Sequence, residues 1–106
     1  MMPRPPKYGN RKTVVDGITF DSAKEAKRYG ELKVLQRAGE ITSLELQPRF
    51  PIVINGVKVC TYVADFGYVD QIGSPVVEDC KGFKTREYTL KRKLMKAVHG
   101  IDILET

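Results

Sequence analysis

The segment from Tyr62 to Lys81 constrains the fold of this chain more than any other. Its two halves are rich in β-branched and aromatic residues and a Gly-Ser-Pro break separates them, which predicts a β-hairpin. Because side chains alternate between the faces of a strand, Asp79 and Lys81 should point to the same side. Asp65 lies in the middle of the first predicted strand, where an ionised carboxylate is costly unless something binds it. The hairpin would therefore gather two carboxylates and an ammonium, a set that suits a divalent cation and a phosphodiester.

Two helices are predicted on either side of this hairpin. Ser22 has the character of an N-cap and Gly39 that of a terminator, so the first helix should lie between them. On that helix one stripe carries Glu25, Tyr29, Leu32 and Gln36. Two interpretations of Glu25 are open and compatible: it completes a capping box with Ser22, or it reaches over the sheet as a third carboxylate. The second helix should cover about residues 85–98, with an apolar stripe made of Leu90, Leu94, Ala97 and Val98.

The remaining segments predict strands. Residues 13–20 contain Asp-Gly and residues 53–58 contain Asn-Gly, which are strong hairpin signals. Two prolines confine residues 41–54 to an edge or irregular strand, residues 57–69 should form one long strand, and residues 101–104 a short closing strand. This order of elements predicts an α/β (α+β) domain with a mixed central sheet and a helix on each side.

The composition fits one domain, residues 13–106, with a mobile basic arm at residues 1–12. A formal net charge of +5 favours a polyanionic partner. No apolar run approaches the ~20 residues of a membrane span, and one histidine with two cysteines is too few for a structural zinc site. We expect reduced thiols and a cytoplasmic protein, although an oxidising compartment would permit a bond between Cys60 and Cys80.

The resemblance to a known family is carried by six stretches that together span nearly the whole chain. They are Lys7-Tyr8-Gly9-Asn10, Phe20-Asp21-Ser22 with Glu25-Ala26, Leu46-Gln47-Pro48-Arg49-Phe50, Ala64-Asp65-Phe66, Glu78-Asp79-Cys80-Lys81-Gly82-Phe83 and Thr85-Arg86-Glu87. With them the chain resembles the PD-(D/E)XK nuclease superfamily and, more narrowly, short phage-encoded endonuclease-like proteins, including Holliday junction resolvases. One departure is Ala64, which stands where the superfamily's name implies a proline; every catalytic group is still present.

The resemblance implies a restriction-endonuclease-like core and a metal site that needs no organic cofactor. Asp65 and Asp79 would ligate Mg²⁺ or Mn²⁺, helped by Glu25 and the backbone carbonyl of Cys80. Lys81 would either hold or deprotonate the attacking water. Further positions are Gln47, a weaker candidate near the metal, and Glu78, which is one residue out of phase and should face away from Lys81.

DNA is the partner that the resemblance implies, with branched DNA as substrate and a homodimer to make two cuts. The candidate DNA-binding residues in the carboxyl-terminal part are Lys84, Arg86, Lys91, Arg92, Lys93 and Lys96, and we expect only Glu87 to oppose them; those in the arm are Arg4, Lys7, Arg11 and Lys12. Each set has a simpler interpretation as a solvated helix face or terminus, and Asp79 with Lys81 could be a surface ion pair. The alternatives in function are an endonuclease without junction preference, a catalytically silent DNA-binding protein of the same fold, and a small RNA-binding protein.

Overall fold

The computed structural model describes residues 12–81 and 83–106, in which eight strands and two helices are found. In chain order these are β1 (Thr13–Val15), β2 (Ile18–Phe20), α1 (Ala23–Arg37), β3 (Thr42–Leu46), β4 (Arg49–Ile54), β5 (Val57–Val63), β6 (Phe66–Val69), β7 (Pro75–Asp79), α2 (Arg86–His99) and β8 (Leu104–Glu105). Neither helix is long and apolar enough to cross a membrane.

The central sheet has four strands in the order β3-β6-β7-β8. The pairs β3 with β6 and β6 with β7 are antiparallel. The strand β8 is parallel to β7, with Glu78 opposite Leu104 and Asp79 opposite Glu105. Parallel neighbours need a crossover connection, and α2 supplies it. The predicted mixed sheet and the predicted hairpin of β6 and β7 are confirmed, although the closing strand begins at Leu104, later in the chain than expected.

Each face of the sheet carries one helix. On one face α1 packs with the side chains of Phe20, Ala26, Tyr29, Leu32, Ile41, Phe66 and Tyr68. On the other face α2 packs with Ile52, Tyr62, Ala64, Val77, Tyr88 and Met95. Because the two clusters draw on alternate residues of the same strands, the expected α+β sandwich with a helix on each side is confirmed.

The local signals for α1 and for the hairpins predicted the structure correctly. The Ser22 Oγ accepts a hydrogen bond from the Glu25 N–H at 3.1 Å, and α1 ends at Arg37, with Ala38 as its C-cap followed by Gly39, whose φ is +79°. The two hairpin turns use left-handed residues at both central positions, with φ of 53° and 75° in one and 51° and 78° in the other. Such turns match the twist of the strands they join.

The predicted apolar stripe of α2 is confirmed at Leu94 and Val98, which are half-buried against the second core cluster, and is wrong at its other two positions. Leu90 is 58% exposed and Ala97 is exposed, while Tyr88 and Met95 are buried. The reason is angular: at 100° per residue, Leu90 lies about 200° around the helix from Tyr88. The prediction used only the aliphatic residues, whereas the buried face of the helix includes the aromatic ring of Tyr88. The centroid of that ring lies 6.5 Å from the centroid of the Tyr62 ring.

The expected single strand over residues 57–69 is also wrong, because the chain breaks at Ala64 and Asp65. The strand β5 pairs with β4 in a separate two-stranded ribbon, whereas β6 belongs to the central sheet. At the break, the Ala64 N–H donates to the Pro48 carbonyl oxygen at 3.1 Å and the Gln47 N–H donates to the Asp65 carbonyl oxygen at 3.0 Å. Asp65 therefore lies between two strands and not in the middle of one.

Candidate functional site

The carboxylates of Asp65 and Asp79 are each held by a backbone N–H of the neighbouring segment. The Asp65 N–H donates to Asp79 Oδ1 at 3.1 Å, and the Cys80 N–H donates to Asp65 Oδ2 at 2.8 Å. The strand break makes the first bond possible, because the Asp65 N–H also reaches the Glu78 carbonyl oxygen at 3.2 Å where the ladder begins. The two carboxylates are thus oriented by the backbone at the end of β7, as the sequence predicted in outline.

Asp79 is fully buried, and its Oδ2 atom has no hydrogen-bond partner in the described part of the chain. Burial raises the pKa of Asp79 to about 6, against the opposing attraction of Lys81. Burial also raises the pKa of Asp65. Buried polar atoms are normally paired, so an orphaned carboxylate oxygen beside a second carboxylate is a position where a cation would be stabilised.

Glu25 is the third carboxylate and enters from the first turn of α1. It is 7% exposed and lines a cavity of about 140 Å³ together with Gln47 and Asp65. Burial, followed by repulsion from Asp65, raises its pKa to about 7. The N-cap bond to Ser22 uses only the backbone of Glu25, so capping and a role at the site are compatible, and Gln47 shares the cavity as the weaker candidate.

Lys81 lies on the other side of Asp79. Its Nζ is 3.7 Å from Asp79 Oδ1 and 4.9 Å from the centre of the Tyr88 ring. The Tyr88 hydroxyl donates to Glu105 Oε2 at 2.7 Å, which fixes the ring under the ammonium. Lys81, Tyr88 and Lys91 line a pocket of about 220 Å³ beside β5. Sequence reasoning missed Tyr88 and Glu105, because no motif ties an aromatic residue on α2 or an acid in the last strand to Lys81.

Glu78 faces away from Lys81, as predicted. It is fully buried on the α1 side of the sheet, where the Nε of Arg28 donates to its Oε1 at 2.7 Å. Burial raises the pKa of Glu78, and Arg28 opposes this rise. This pair is structural: it joins α1 to the middle of the sheet without contacting Lys81.

Glu105 neutralises part of the basic surface of α2. It accepts from Lys84 Nζ and from Arg92 Nη1, both at 3.1 Å, in addition to the Tyr88 hydroxyl. The expectation that only Glu87 opposes the cations of this region is therefore wrong. The acids of the carboxyl-terminal segment are distant in sequence from the cations they meet, so a local reading of charge could not find these pairs.

The other predicted DNA-binding cations divide into paired and unpaired groups. The pairs are Lys91 with Glu87 at 3.1 Å and Lys96 with Asp102 at 2.8 Å. Arg86 and Lys93 have no carboxylate partner within residues 12–81 and 83–106. Lys12 is exposed just before β1, while Arg4, Lys7 and Arg11 lie outside the described residues, as does nearly all of the predicted arm.

No coordination sphere is formed by the described residues: they contain no group of three or more His, Cys, Asp or Glu side chains arranged to hold a metal ion. The chemistry of the donor set nevertheless fits Mg²⁺, which prefers hard oxygen ligands and retains several waters. Glu25 and Asp79, which are buried, and Asp65, which is half-buried, all have raised pKa values and could supply such ligands; Asp79 also has an unpartnered oxygen within the described residues.

The fold and the site define the class: an α+β protein in which buried carboxylates and a lysine meet at the end of a mixed sheet. The chain belongs to the family described as "Protein of unknown function (DUF1064)", whose model matches residues 5–100. No curated protein and no solved structure matches the chain.

Proposed function

We propose that this protein is a Mg²⁺-dependent DNA endonuclease that hydrolyses phosphodiester bonds, with branched DNA such as Holliday junctions as its preferred substrate. The observation that supports the proposal is the pair of hydrogen bonds that orient the two aspartates, with Lys81 beside them: Asp79 Oδ1 accepts from the Asp65 N–H, and Asp65 Oδ2 accepts from the Cys80 N–H. A surface ion pair would not need a buried carboxylate with an unpartnered oxygen. The resemblance to PD-(D/E)XK nucleases gives the same residues the same roles.

In this proposal Asp65, Asp79 and Glu25, with the backbone carbonyl of Cys80, hold Mg²⁺, and Mn²⁺ would substitute for it. When bound, such an ion lowers the pKa of a coordinated water and offsets the charge that develops on the phosphate oxygens. The protein's own contribution is orientation, because the Cys80 and Asp65 N–H groups fix one oxygen of each aspartate before any ion arrives.

Lys81 supplies the positive charge on the phosphate side of the site. Its ammonium is held between Asp79 Oδ1 and the Tyr88 ring, and a cation on an aromatic face keeps part of its donor capacity free. From there it would contact a non-bridging phosphate oxygen and hold the attacking water in line. The Glu105 bond to Tyr88 keeps the ring, and hence the ammonium, in position.

A chain with one such site cuts one strand at a time, so cutting a four-way junction at paired positions takes two copies, and we propose a homodimer. The proposed place of action is the cytoplasm of a bacterial host of a phage, where DNA is accessible and where the two free thiols stay reduced.

The test compares cleavage of a labelled four-way junction with that of a matched linear duplex, each with Mg²⁺ and with EDTA. We expect paired, Mg²⁺-dependent cuts in the junction, with at least a 100-fold loss of rate in Asp79→Asn and in Lys81→Met. The matched controls are Asp102→Asn and Lys58→Met, which change exposed residues of the same types and should retain wild-type rates.

A second readout is independent of cleavage. At pH 7.5 Mg²⁺ should raise the melting temperature of the wild-type protein by mass action and should have little effect on Asp79→Asn. Cutting of both DNA substrates would redefine the protein as an endonuclease without junction preference. Binding without cleavage under Mg²⁺ and Mn²⁺, together with no thermal shift, would contradict the enzyme and leave a DNA-binding protein.

A further inference from the structure

The exposed apolar residues near the start of α2 have no place in the proposed chemistry. Leu90 is 58% exposed and Phe83, just before the helix, is 55% exposed. Leu90 lies in a shallow depression of about 270 Å³ whose other walls are polar or cationic, formed by Lys84, Thr85, Arg86, Thr89 and Lys93. An exposed leucine is ordinary in itself, but the described residues that line this depression include three cations and no acid.

The charge on this surface is only partly neutralised by the described residues. Of the three cations that line the depression, Lys84 contacts Glu105, whereas Arg86 and Lys93 contact no carboxylate in that part of the chain. Lys91, Arg92 and Lys96, elsewhere on α2, each contact a carboxylate. Unpaired cations around an apolar centre match a ligand with a negative backbone and a flat apolar group, which describes a nucleotide strand whose base is not stacked.

The surface is continuous with the proposed active site. Thr85, the N-cap of α2, lines both the depression around Leu90 and the pocket that contains Lys81 and Tyr88. A strand whose phosphate lies at Lys81 would pass over Thr85 and reach Leu90 with a neighbouring nucleotide. The two sites would therefore read one strand at adjacent positions.

We propose that Phe83, Arg86, Leu90 and Lys93 form a surface that binds an unstacked base next to the strand that is cut. Arg86 and Lys93 contact the flanking phosphates, and Phe83 with Leu90 contacts the face of the base. The inference rests on the proposed function and explains its preference: a branch point offers a base that is already unstacked, whereas an intact duplex must be opened first. It adds a physical source of structure selectivity to the proposed nuclease.

The test measures binding of the full-length protein, in EDTA so that the DNA stays intact, to a junction that carries 2-aminopurine at its centre and to a matched duplex. We expect Leu90→Ala and Phe83→Ala to weaken junction binding by about tenfold, equivalent to ~1.4 kcal/mol, and duplex binding by less than twofold. The fluorescence change of 2-aminopurine on binding should be lost in both variants. Ile72→Ala is the matched control, since Ile72 is 87% exposed on the loop between β6 and β7.

The cation substitutions have a different expected signature. Arg86→Gln and Lys93→Gln should weaken binding to junction and duplex alike and should each lower the slope of log K against log salt by about one. Because all four side chains are exposed, melting curves of the variants should match the wild type.

The contradicting results are specific. Equal losses on both DNAs in Leu90→Ala would show that the surface reads only the backbone, and a dimer that dissociates in this variant with DNA binding unchanged would show that a second copy covers it. Either result overturns the inference while cleavage by the wild type still supports the nuclease. Conversely, the wild type could fail to cleave any DNA while Leu90→Ala and Phe83→Ala still lose junction binding selectively. That result would support this surface and contradict the proposed enzyme.

Discussion

Replacing Asp79 by asparagine removes a buried charge and keeps the shape of the side chain. In the folded protein the pKa of Asp79 is raised from 3.8 to about 6. Because one pKa unit corresponds to ~1.4 kcal/mol, the ionised carboxylate destabilises the folded state by about 3 kcal/mol. The amide introduces N–H donors where Oδ2 has no partner, and an unsatisfied buried donor costs ~1–2 kcal/mol. In EDTA at pH 7.5 we therefore expect Asp79→Asn to be more stable than the wild type by ~1–2 kcal/mol, or about 5–10 °C.

The sign of the pH dependence follows from the direction of the shift. A carboxyl whose pKa is higher when folded binds more protons in the folded state, so wild-type stability falls as pH rises from about 4 to about 6. The asparagine does not titrate, so its advantage should be complete above pH 6 and absent at pH 4. Glu25, whose pKa is about 7, titrates in both proteins, and its contribution largely cancels in the comparison.

The assay is thermal unfolding followed by far-UV circular dichroism, in EDTA, at pH 4 and pH 7.5. Asp102→Asn is the control, because its side chain is 80% exposed and its ion pair with Lys96 should contribute under ~1 kcal/mol. A variant that is less stable than the wild type at pH 7.5 would refute the reasoning, and so would an equal difference between the two proteins at both pH values.

Three further predictions concern packing and position. Arg28→Met should cost ~3 kcal/mol in urea unfolding, because it leaves the fully buried Glu78 without its partner at 2.7 Å, whereas adding Glu78→Leu should recover most of that loss. Met95→Ala should cost ~2–4 kcal/mol in the same measurement and Leu90→Ala under ~0.5 kcal/mol, the reverse of what the aliphatic stripe of α2 would give. In the proposed nuclease, Tyr88→Leu, which removes the ring under the Lys81 ammonium, should lower the cleavage rate measured at saturating DNA about tenfold without weakening DNA binding, and Tyr88→Phe, which keeps the ring but loses the bond to Glu105, should lower it less.

The elements that sequence reasoning predicted correctly are those whose signals are local. Each cap of α1 and each of the two hairpin turns depends on residues within four positions of each other. Ser22 at one end and Gly39 at the other were therefore sufficient to predict where the helix lies. The alternation that separates Glu78 from Asp79 is equally local. The convergence of the two aspartates also followed in outline from the hairpin, because its register brings the start of β6 to the end of β7.

What could not be predicted depends on contacts between distant segments. Ala64 and Asp65 have strand-like neighbours, and the break between β5 and β6 is fixed by hydrogen bonds with Gln47 and Pro48, which the sequence alone does not bring near. The neutralising role of Glu105 is likewise set by a parallel pairing with β7 across a whole helix. Sequence patterns predicted that Asp65, Asp79 and Lys81 lie together, but they did not predict Tyr88 and Glu105 beside them. Tertiary contacts decided which of these residues are buried and which are paired.

The break in the strand explains why the site has the form it does. In a continuous strand the Asp65 N–H would be held in the ladder alone and its side chain would face a sheet surface. Ending β5 at Val63 turns that N–H toward the Asp79 carboxylate and turns the Asp65 carboxylate toward the Cys80 N–H. The Asp79 carboxylate is thus oriented by the backbone of Asp65 and the Asp65 carboxylate by the backbone of Cys80, and burial raises the pKa values of both acids. A sheet would be more stable without these two charges, so this bonded arrangement supports the proposal that the site binds a cation.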